Sequence, residues 1–282
     1  MQNKIIDRGF FFVLPGLIGF FIFFIFPFCL SMVYAFLDRP VNGTFIGFAN
    51  FTSLFQNRAY IRGLLNTLLF IGISTPLNLA ISLGIAMLVN RIVKGRGWFT
   101  LIFLIPLVIP SGSMVFFWKT LFSYEGALNG ILNSLGIGKV NWLDSSLAMP
   151  VMIFIFLWKN CGYNMILFLA GLGNIPKDYY EAAWMDNASH FRTFRHITLP
   201  CLLPTGILAL IMSIINSFKI FREIYQITGG YPHESIYTLQ HFMNNMFLAL
   251  NYPRLTSATA ILVLIIALFT QFLLRMERKA AS

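Results

Sequence analysis

The chain contains six long apolar segments, and the charged residues collect in the stretches between them. At 1.5 Å per residue, about twenty helical residues cross a hydrocarbon core of about 30 Å. A membrane barrel strand would instead alternate apolar and polar positions over about ten residues, and these segments are continuously apolar. The pattern therefore predicts an all-α polytopic membrane protein with six transmembrane helices. They are placed near Phe10–Phe36, Leu64–Val89, Trp98–Phe122, Pro150–Leu172, Leu202–Phe221 and Ala258–Leu274.

The composition supports this reading. Of the 282 residues, 57% are hydrophobic and 11% are charged, against roughly 25% charged residues in soluble domains. One aqueous core of this size cannot bury so much apolar surface. Cys29, Cys161 and Cys201 lie in apolar stretches without metal-ligand or disulfide spacing, so neither kind of site is predicted.

The net charge of +10 is interpreted as a sign of orientation rather than of nucleic-acid binding. Eleven Lys and Arg residues lie on the side that carries both termini, including the cluster Arg91, Lys94 and Arg96, and six lie on the other side. Basic residues concentrate in cytoplasmic loops, so both termini are expected to be cytoplasmic. The first apolar run is too long and lacks the cleavage site of a signal peptide, so it is predicted to remain as a span.

The connection between the fourth and fifth spans, residues 173–200, is long for a cytoplasmic turn and rich in helix formers. Pro176 and Asp178 suit the first turn of a helix, which nothing interrupts before about His190. One interpretation is an amphipathic helix lying on the bilayer, with Arg192 and Arg195 near lipid phosphates. The other is a docking element, because the small Ala182 and Ala183 permit close approach of a partner.

This connection contains Glu181-Ala182-Ala183, then Asp186 and Asn187, and a closing Ile-Thr-Leu-Pro run. In these residues it resembles the EAA loop of ABC importer permeases. Shorter strings are similar to the carbohydrate branch of that family, among them Thr228-Gly229-Gly230. Asn187 stands where the family usually has Gly, and Asn tolerates left-handed backbone better than most residues.

The resemblance implies the type I ABC importer permease fold in a multi-pass protein of the bacterial cytoplasmic membrane. It implies an N-terminal helix and outer loop at 1–61, a permease core at 62–272 and a cytoplasmic tail at 273–282. Glu181, Ala182, Ala183, Asp186 and Asn187 would dock on a separate ATPase. The implied partners are two ATP-binding subunits, a second and different permease chain, an extracellular solute-binding protein and a carbohydrate. ATP and Mg would be bound by the partners, with no cofactor in this chain.

Polar side chains at membrane depth usually face a cavity or a partner helix. Trp158, Lys159, Asn160 and Tyr163 interrupt the fourth span, and Asn216 with Ser217 interrupts the fifth. Aromatic, amide and hydroxyl groups together suit a sugar pathway. Alternatively, the amides bond across helices and Trp158 fills space. Lys159 has three possible partners: an acid, the water of a cavity or an anionic group of the cargo.

Two other functional classes remain open. A secondary transporter or channel would need an ion-coupling carboxylate or paired broken helices, and no Asp or Glu is predicted inside a span. An intramembrane enzyme would need a motif such as HExxH or GxSxG, and the sequence contains neither. The sequence also lacks GxxxxGK[ST], so a non-catalytic subunit driven by partner ATPases is predicted.

Overall fold

The computed structural model describes residues 2–91 and 95–281. Lys94, one of the basic residues used above for orientation, lies outside the described residues. The described part of the chain is helical, with the single isolated bridge Leu37 to Phe45 as its only β pairing. The helices are α1 Gln2–Phe20, α2 Phe26–Tyr34, α3 Ala49–Gln56, α4 Arg58–Asn90, α5 Arg96–Val108, α6 Ser111–Phe122, α7 Ala127–Ser134, α8 Ala148–Gly173, α9 Lys177–Met185, α10 His190–Thr193, α11 Leu199–Cys201, α12 Leu203–Phe218, α13 Ile220–Thr228, α14 Leu239–Leu248 and α15 Tyr252–Ala281.

Five helical stretches in the described residues are long and apolar enough to cross a membrane, and a bent pair makes a sixth. The all-α prediction with six apolar segments is confirmed. Several bounds differ from the predicted ones: α4 and α15 each begin six residues earlier, and the fifth span continues to Thr228.

The third predicted span is not one straight helix. It consists of α5 and α6, which are bent by 90°. Pro110 has no N–H to donate, and a residue before proline avoids helical backbone, so Ile109 is extended at φ −65°, ψ 128°. The sequence remains apolar on both sides of Pro110, so hydrophobicity alone does not reveal that the helix is interrupted there.

The described residues divide into two compact units. The first consists of residues 1–61 and 243–266. Within it, the Asn50 amide donates to the carbonyl oxygens of Ala35 and Leu37 at 3.0 and 2.8 Å, and the Ser257 hydroxyl donates to Ala35 O at 3.1 Å. No residue of Phe10–Tyr34 is buried in the chain, so this apolar helix requires lipid or another protein around it.

The second unit, residues 62–242 and 267–282, has two hydrophobic clusters that share α8. One cluster joins α8 to α6 and α13, with Trp118, Phe156 and Ile224 buried in it. The other joins α8 to α4 and α12 through residues such as Met165 and Leu202. Because α8 is packed on several sides, its polar residues are mostly enclosed by this chain.

Candidate substrate pathway and docking helix

Lys159 forms an ion pair with Glu223. Its ammonium group contacts the Glu223 carboxylate and lies 3.5 Å from the Ser111 hydroxyl. The Glu223 side chain is 3% exposed and that of Lys159 is 19% exposed. Of the three partners considered for Lys159, the structure therefore shows an acid.

This pair corrects the prediction that no acidic residue lies in a span. The fifth span was expected to end at Phe221, but α13 extends the helical stretch to Thr228 and carries Glu223 inside it. Ile220, Ile224 and Ile227 are buried on the same helix, so its apolar face extends the span. The carboxylate of Glu223 is paired with Lys159 in this structure.

The aromatic candidates of α8 are half-buried. The Trp158 ring packs edge to face against Trp118, with the ring centroids 5.2 Å apart. Tyr163 lies one turn beyond Lys159 and keeps part of its surface open. Both side chains therefore present aromatic surface beyond the packed interior of this chain.

The amide and hydroxyl candidates bond mainly within their own helices. Asn160 is buried and donates to Phe156 O at 2.9 Å, and Ser217 is buried and donates to Ile214 O at 2.6 Å. Asn216 is half-buried and accepts from the Lys219 ammonium at 2.9 Å. These bonds of Asn160 and Ser217 lie within single helices, so they are not the bonds across helices that the packing alternative describes.

A buried polar network lies between α4, α8 and α12 and contains bonds across helices of the kind that the packing alternative describes. Ser213 Oγ accepts from the side-chain amides of Asn164 at 2.6 Å and Asn78 at 3.2 Å. Ser82 donates to the carbonyl oxygen of Cys161 at 2.9 Å. Isolated Ser and Asn residues in apolar runs are the only sequence signal for it, and they do not indicate which helices meet.

The predicted docking element contains α9, which is shorter than expected. It ends at Met185 instead of near His190, and Asn187 adopts left-handed backbone with φ 51°. Asn187 N–H donates to Trp184 O at 3.0 Å and Ala188 N–H donates to Ala183 O at 2.9 Å. These two bonds form a Schellman motif, which explains how Asn serves where the family usually has Gly.

The five predicted docking residues do not share one environment. Glu181, Ala182, Asp186 and Asn187 are exposed, whereas Ala183 is buried within the chain. Two large apolar side chains beside them are exposed to solvent, Trp184 at 78% and Met185 at 77%. An exposed apolar surface of this kind indicates contact with a protein or a membrane.

A groove of about 630 Å³ lies between α9 and the helical segment that follows. Asp186, Arg192 and His196 are among its lining residues. The Ser189 hydroxyl accepts from Arg192 N–H at 3.4 Å and caps α10. The connection is therefore an ordered two-helix element.

The segment after α13 is hydrogen-bonded to α4. The Asn66 side-chain amide donates to the carbonyl oxygens of Glu234 and Tyr237 at 2.7 and 2.9 Å, and Leu239 N–H donates to Thr67 Oγ1 at 2.9 Å. His241 is fully buried, and burial lowers its pKa to about 4. The segment is partly helical, with a short turn of helix at Glu234–Ile236 followed by α14.

The comparisons with known proteins agree with this architecture. Residues 78–280 match the family described as the binding-protein-dependent transport system inner membrane component. The chain belongs to that family. It is a multi-pass permease of an ABC transport system.

Curated relatives extend over nearly the whole chain. The trehalose/maltose transport system permease protein MalF of Thermococcus litoralis is 33% identical, over 88% of this chain and 90% of that protein. The lactose transport system permease protein LacF of Rhizobium radiobacter is 29% identical, over 96% of this chain and 95% of that protein. The family resemblance predicted from the sequence is confirmed.

A solved structure has the same fold. The chain superposes on a bacterial ABC transporter that imports the acidic polysaccharide alginate with a TM-score of 0.84 and 26% identity, over 99% of this chain and 98% of that one. A second structure of the alginate transporter includes a periplasmic protein with bound alginate pentasaccharide, at the same TM-score. The predicted type I importer permease fold is confirmed.

Proposed function

We propose that this chain is the non-catalytic membrane subunit of an ATP-driven importer, and that its cargo is a sugar or oligosaccharide delivered by an extracellular solute-binding protein. The observation that carries the proposal is the exposed docking surface of α9, placed between the fourth and fifth spans as in the EAA loop. Sugar-transport relatives support the cargo class.

Energy comes from two partner ATPase subunits, which bind ATP and Mg. This chain has no P-loop motif with which to cradle nucleotide phosphates. Glu181, Ala182, Asp186 and Asn187 form the contact surface for one ATPase, and the buried Ala183 allows α9 to pack closely on the rest of its own chain. A second, different permease chain completes the pathway.

The excess of Lys and Arg on one side supports cytoplasmic termini, which places α9 in the cytoplasm beside the ATPase. Transport proceeds by alternating access. ATP binding closes the ATPase pair, the docking helices move together, and the cavity opens outward to receive the cargo. Hydrolysis then restores the inward conformation. This cycle requires ATP and the loaded binding protein to favour different states by several kcal/mol.

In this proposal the pathway runs along Trp158, Lys159 and Tyr163 of α8, and Asn216 of α12 is a further lining residue. The half-buried aromatic rings suit the apolar faces of a sugar, and the Tyr163 hydroxyl suits its ring-edge hydroxyls. Asn160 and Ser217 support the backbone of the same helices through the bonds described above.

The test is to purify the chain from its native membrane in mild detergent, identify its partners and reconstitute the complex. ATPase activity is then measured with the binding protein and with maltose, lactose or an arabinooligosaccharide. We expect ATP-binding subunits to co-purify, and the binding protein with its sugar to stimulate hydrolysis. A single species without ATPase activity would instead favour a secondary transporter or channel.

Glu181→Lys tests the docking surface separately. The exposed carboxylate becomes a cation, so we expect insertion to persist while the ATPase subunits associate less tightly and hydrolysis loses its response to sugar. Glu125→Lys is the matched control, because Glu125 is also exposed and lies away from α9 in the sequence. If Glu181→Lys instead increases binding to anionic vesicles and leaves ATPase association unchanged, α9 lies on the bilayer.

A further inference from the structure

The ion pair of Lys159 and Glu223 joins three helices inside the second unit. Lys159 lies in the middle of α8, Glu223 in α13, and Ser111 in the first turn of α6. The carboxylate is almost completely enclosed, and the ammonium group contacts both it and the Ser111 hydroxyl. Each of the three helices contributes one polar group to a single cluster.

Stability alone does not account for this pair. Removing two charges from water costs free energy that their attraction recovers only in part, and apolar replacement of a buried pair is often neutral or stabilising. Removing one partner, in contrast, leaves the other charge buried without a partner, which is strongly destabilising. Such a pair is well suited to favour one arrangement of helices over another.

Two of the three helices are interrupted next to the pair. The 90° bend between α5 and α6 lies directly before Ser111. At Lys219, between α12 and α13, backbone hydrogen bonds join residues three apart instead of four apart as in an α-helix. Lys219 N–H donates to Asn216 O at 3.0 Å, and Arg222 N–H donates to Lys219 O at 3.1 Å. Interruptions of this kind are where helical segments pivot.

The third helix, α8, is continuous, and its environment changes at Lys159. Met152, Ile155 and Phe156 precede it and are buried. Tyr163 and Ala170, which follow on the same side of the helix, are half-buried and exposed. On this face of α8 the pair therefore lies between enclosed residues and more exposed ones, whereas the opposite face stays buried beyond Lys159, for example at Met165 and Phe168.

We propose that the Lys159–Glu223 pair is a latch that holds α6 and α13 against α8, and that it separates when the transporter opens to the outside. This inference rests on the proposed import cycle. The latch favours the conformation described here, and the loaded binding protein together with ATP overcomes it. Without the latch, the complex opens without its cargo and hydrolyses ATP unproductively.

The first experiment measures basal and binding-protein-stimulated ATPase activity of the reconstituted complex. We expect Glu223→Gln and Lys159→Met each to raise basal activity at least fivefold and to reduce stimulation, while Glu223→Asp stays close to the unaltered complex. Glu125→Gln is the control: it removes another ion pair, Glu125 to Lys139 at 2.5 Å, whose carboxylate is 77% exposed.

The double variant Lys159→Met with Glu223→Leu distinguishes a latch from a merely structural pair. It removes both charges and leaves no unpaired charge in the interior, so the fold is preserved while the latch is absent. We expect basal activity to remain at least fivefold raised. A double variant with the basal activity and stimulation of the unaltered complex would overturn the proposal.

A second readout does not depend on ATP hydrolysis. Cys29, Cys161 and Cys201 are replaced by Ala, Ser111→Cys is introduced, and its reaction rate with a water-soluble maleimide is measured. We expect Glu223→Gln to accelerate labelling at least tenfold, and Glu125→Gln to leave it unchanged. Equal rates with and without Glu223→Gln would overturn the latch. If the binding protein fails to stimulate ATP hydrolysis by the unaltered complex, the proposed import function is overturned. The labelling rates do not depend on that stimulation, so they test the latch separately.

Discussion

Gly162 of α8 lies directly against the backbone of Phe103 in α5. A Cβ atom at Gly162 would stand 1.9 Å from the Phe103 carbonyl oxygen and 2.6 Å from its carbonyl carbon. The obstacle is main chain and cannot rotate away. The absence of a side chain at this position therefore permits the close packing of α5 on α8.

Gly162→Ala should consequently separate these two helices. Overpacking of this kind costs about 2 kcal/mol or more, so we expect a lower Tm for the purified complex in a thermal unfolding assay. Gly173→Ala is the control in the same helix, because nothing lies within 4 Å of its Cβ position. Equal Tm values for the two variants would contradict the close contact.

Asn187→Val should disrupt the end of α9. Left-handed backbone costs an ordinary L residue about 1–2 kcal/mol, and a β-branched side chain tolerates it poorly. We expect the complex of Asn187→Val to lose sugar-stimulated ATPase activity. Asn187→Gly should preserve it, because glycine adopts φ 51° without strain. Preserved coupling in the valine variant would show that the Schellman motif is dispensable.

Ser213→Ala should destabilise the junction of α4, α8 and α12. It removes the acceptor for Asn78 and Asn164 and leaves buried amides unpaired, at about 1–3 kcal/mol. Ser217→Ala is the matched comparison, since that hydroxyl donates to Ile214 O of its own helix. Thermal unfolding should show a clearly larger loss of Tm for Ser213→Ala.

His241 should make stability depend on pH. Its pKa is lowered to about 4 by burial, against about 6.5 in the unfolded chain. As the pH falls from 6.5 to 4, the unfolded state binds a proton that the folded state excludes, so stability decreases by up to about 3 kcal/mol. Above pH 6.5 the effect is absent.

The measurement is the Tm of the purified complex at pH 7.5 and pH 5. We expect a drop in the unaltered protein that is smaller in His241→Gln, whose side chain stays neutral and retains an acceptor for the Thr238 N–H. An identical drop in both proteins would assign the pH dependence to other groups.

Tyr163→Ala should weaken cargo uptake, because Tyr163 lines the proposed pathway. Removing the ring and hydroxyl of a half-buried contact residue costs on the order of 1.4 kcal/mol, which corresponds to about a tenfold rise in KM for the sugar. Asn160→Ala should change KM less, because that amide donates to Phe156 O within its own helix. The reverse order of effects in a transport assay would make Asn160, rather than Tyr163, the contact residue for the sugar.

Local patterns in the sequence determined the parts of the structure that depend on neighbouring residues. Continuous apolar runs predict helical spans because a backbone in lipid must satisfy its own hydrogen bonds. Pro176 and Asp178 correctly predict the start of α9. The tolerance of Asn for left-handed backbone anticipates the conformation of Asn187. The EAA-like string, together with its position between two spans, predicts the family.

Tertiary structure alone decided which distant residues meet. Lys159 and Glu223 are 64 positions apart, and their pairing depends on how far α13 extends and on the rotation of two helices about their axes. The same holds for Ser213 with Asn164 and for the burial of Ala183. Hydrophobic periodicity identifies a helix and its length, but an almost uniformly apolar span has no polar face from which to read its orientation. Packing against the neighbouring helices supplies that orientation.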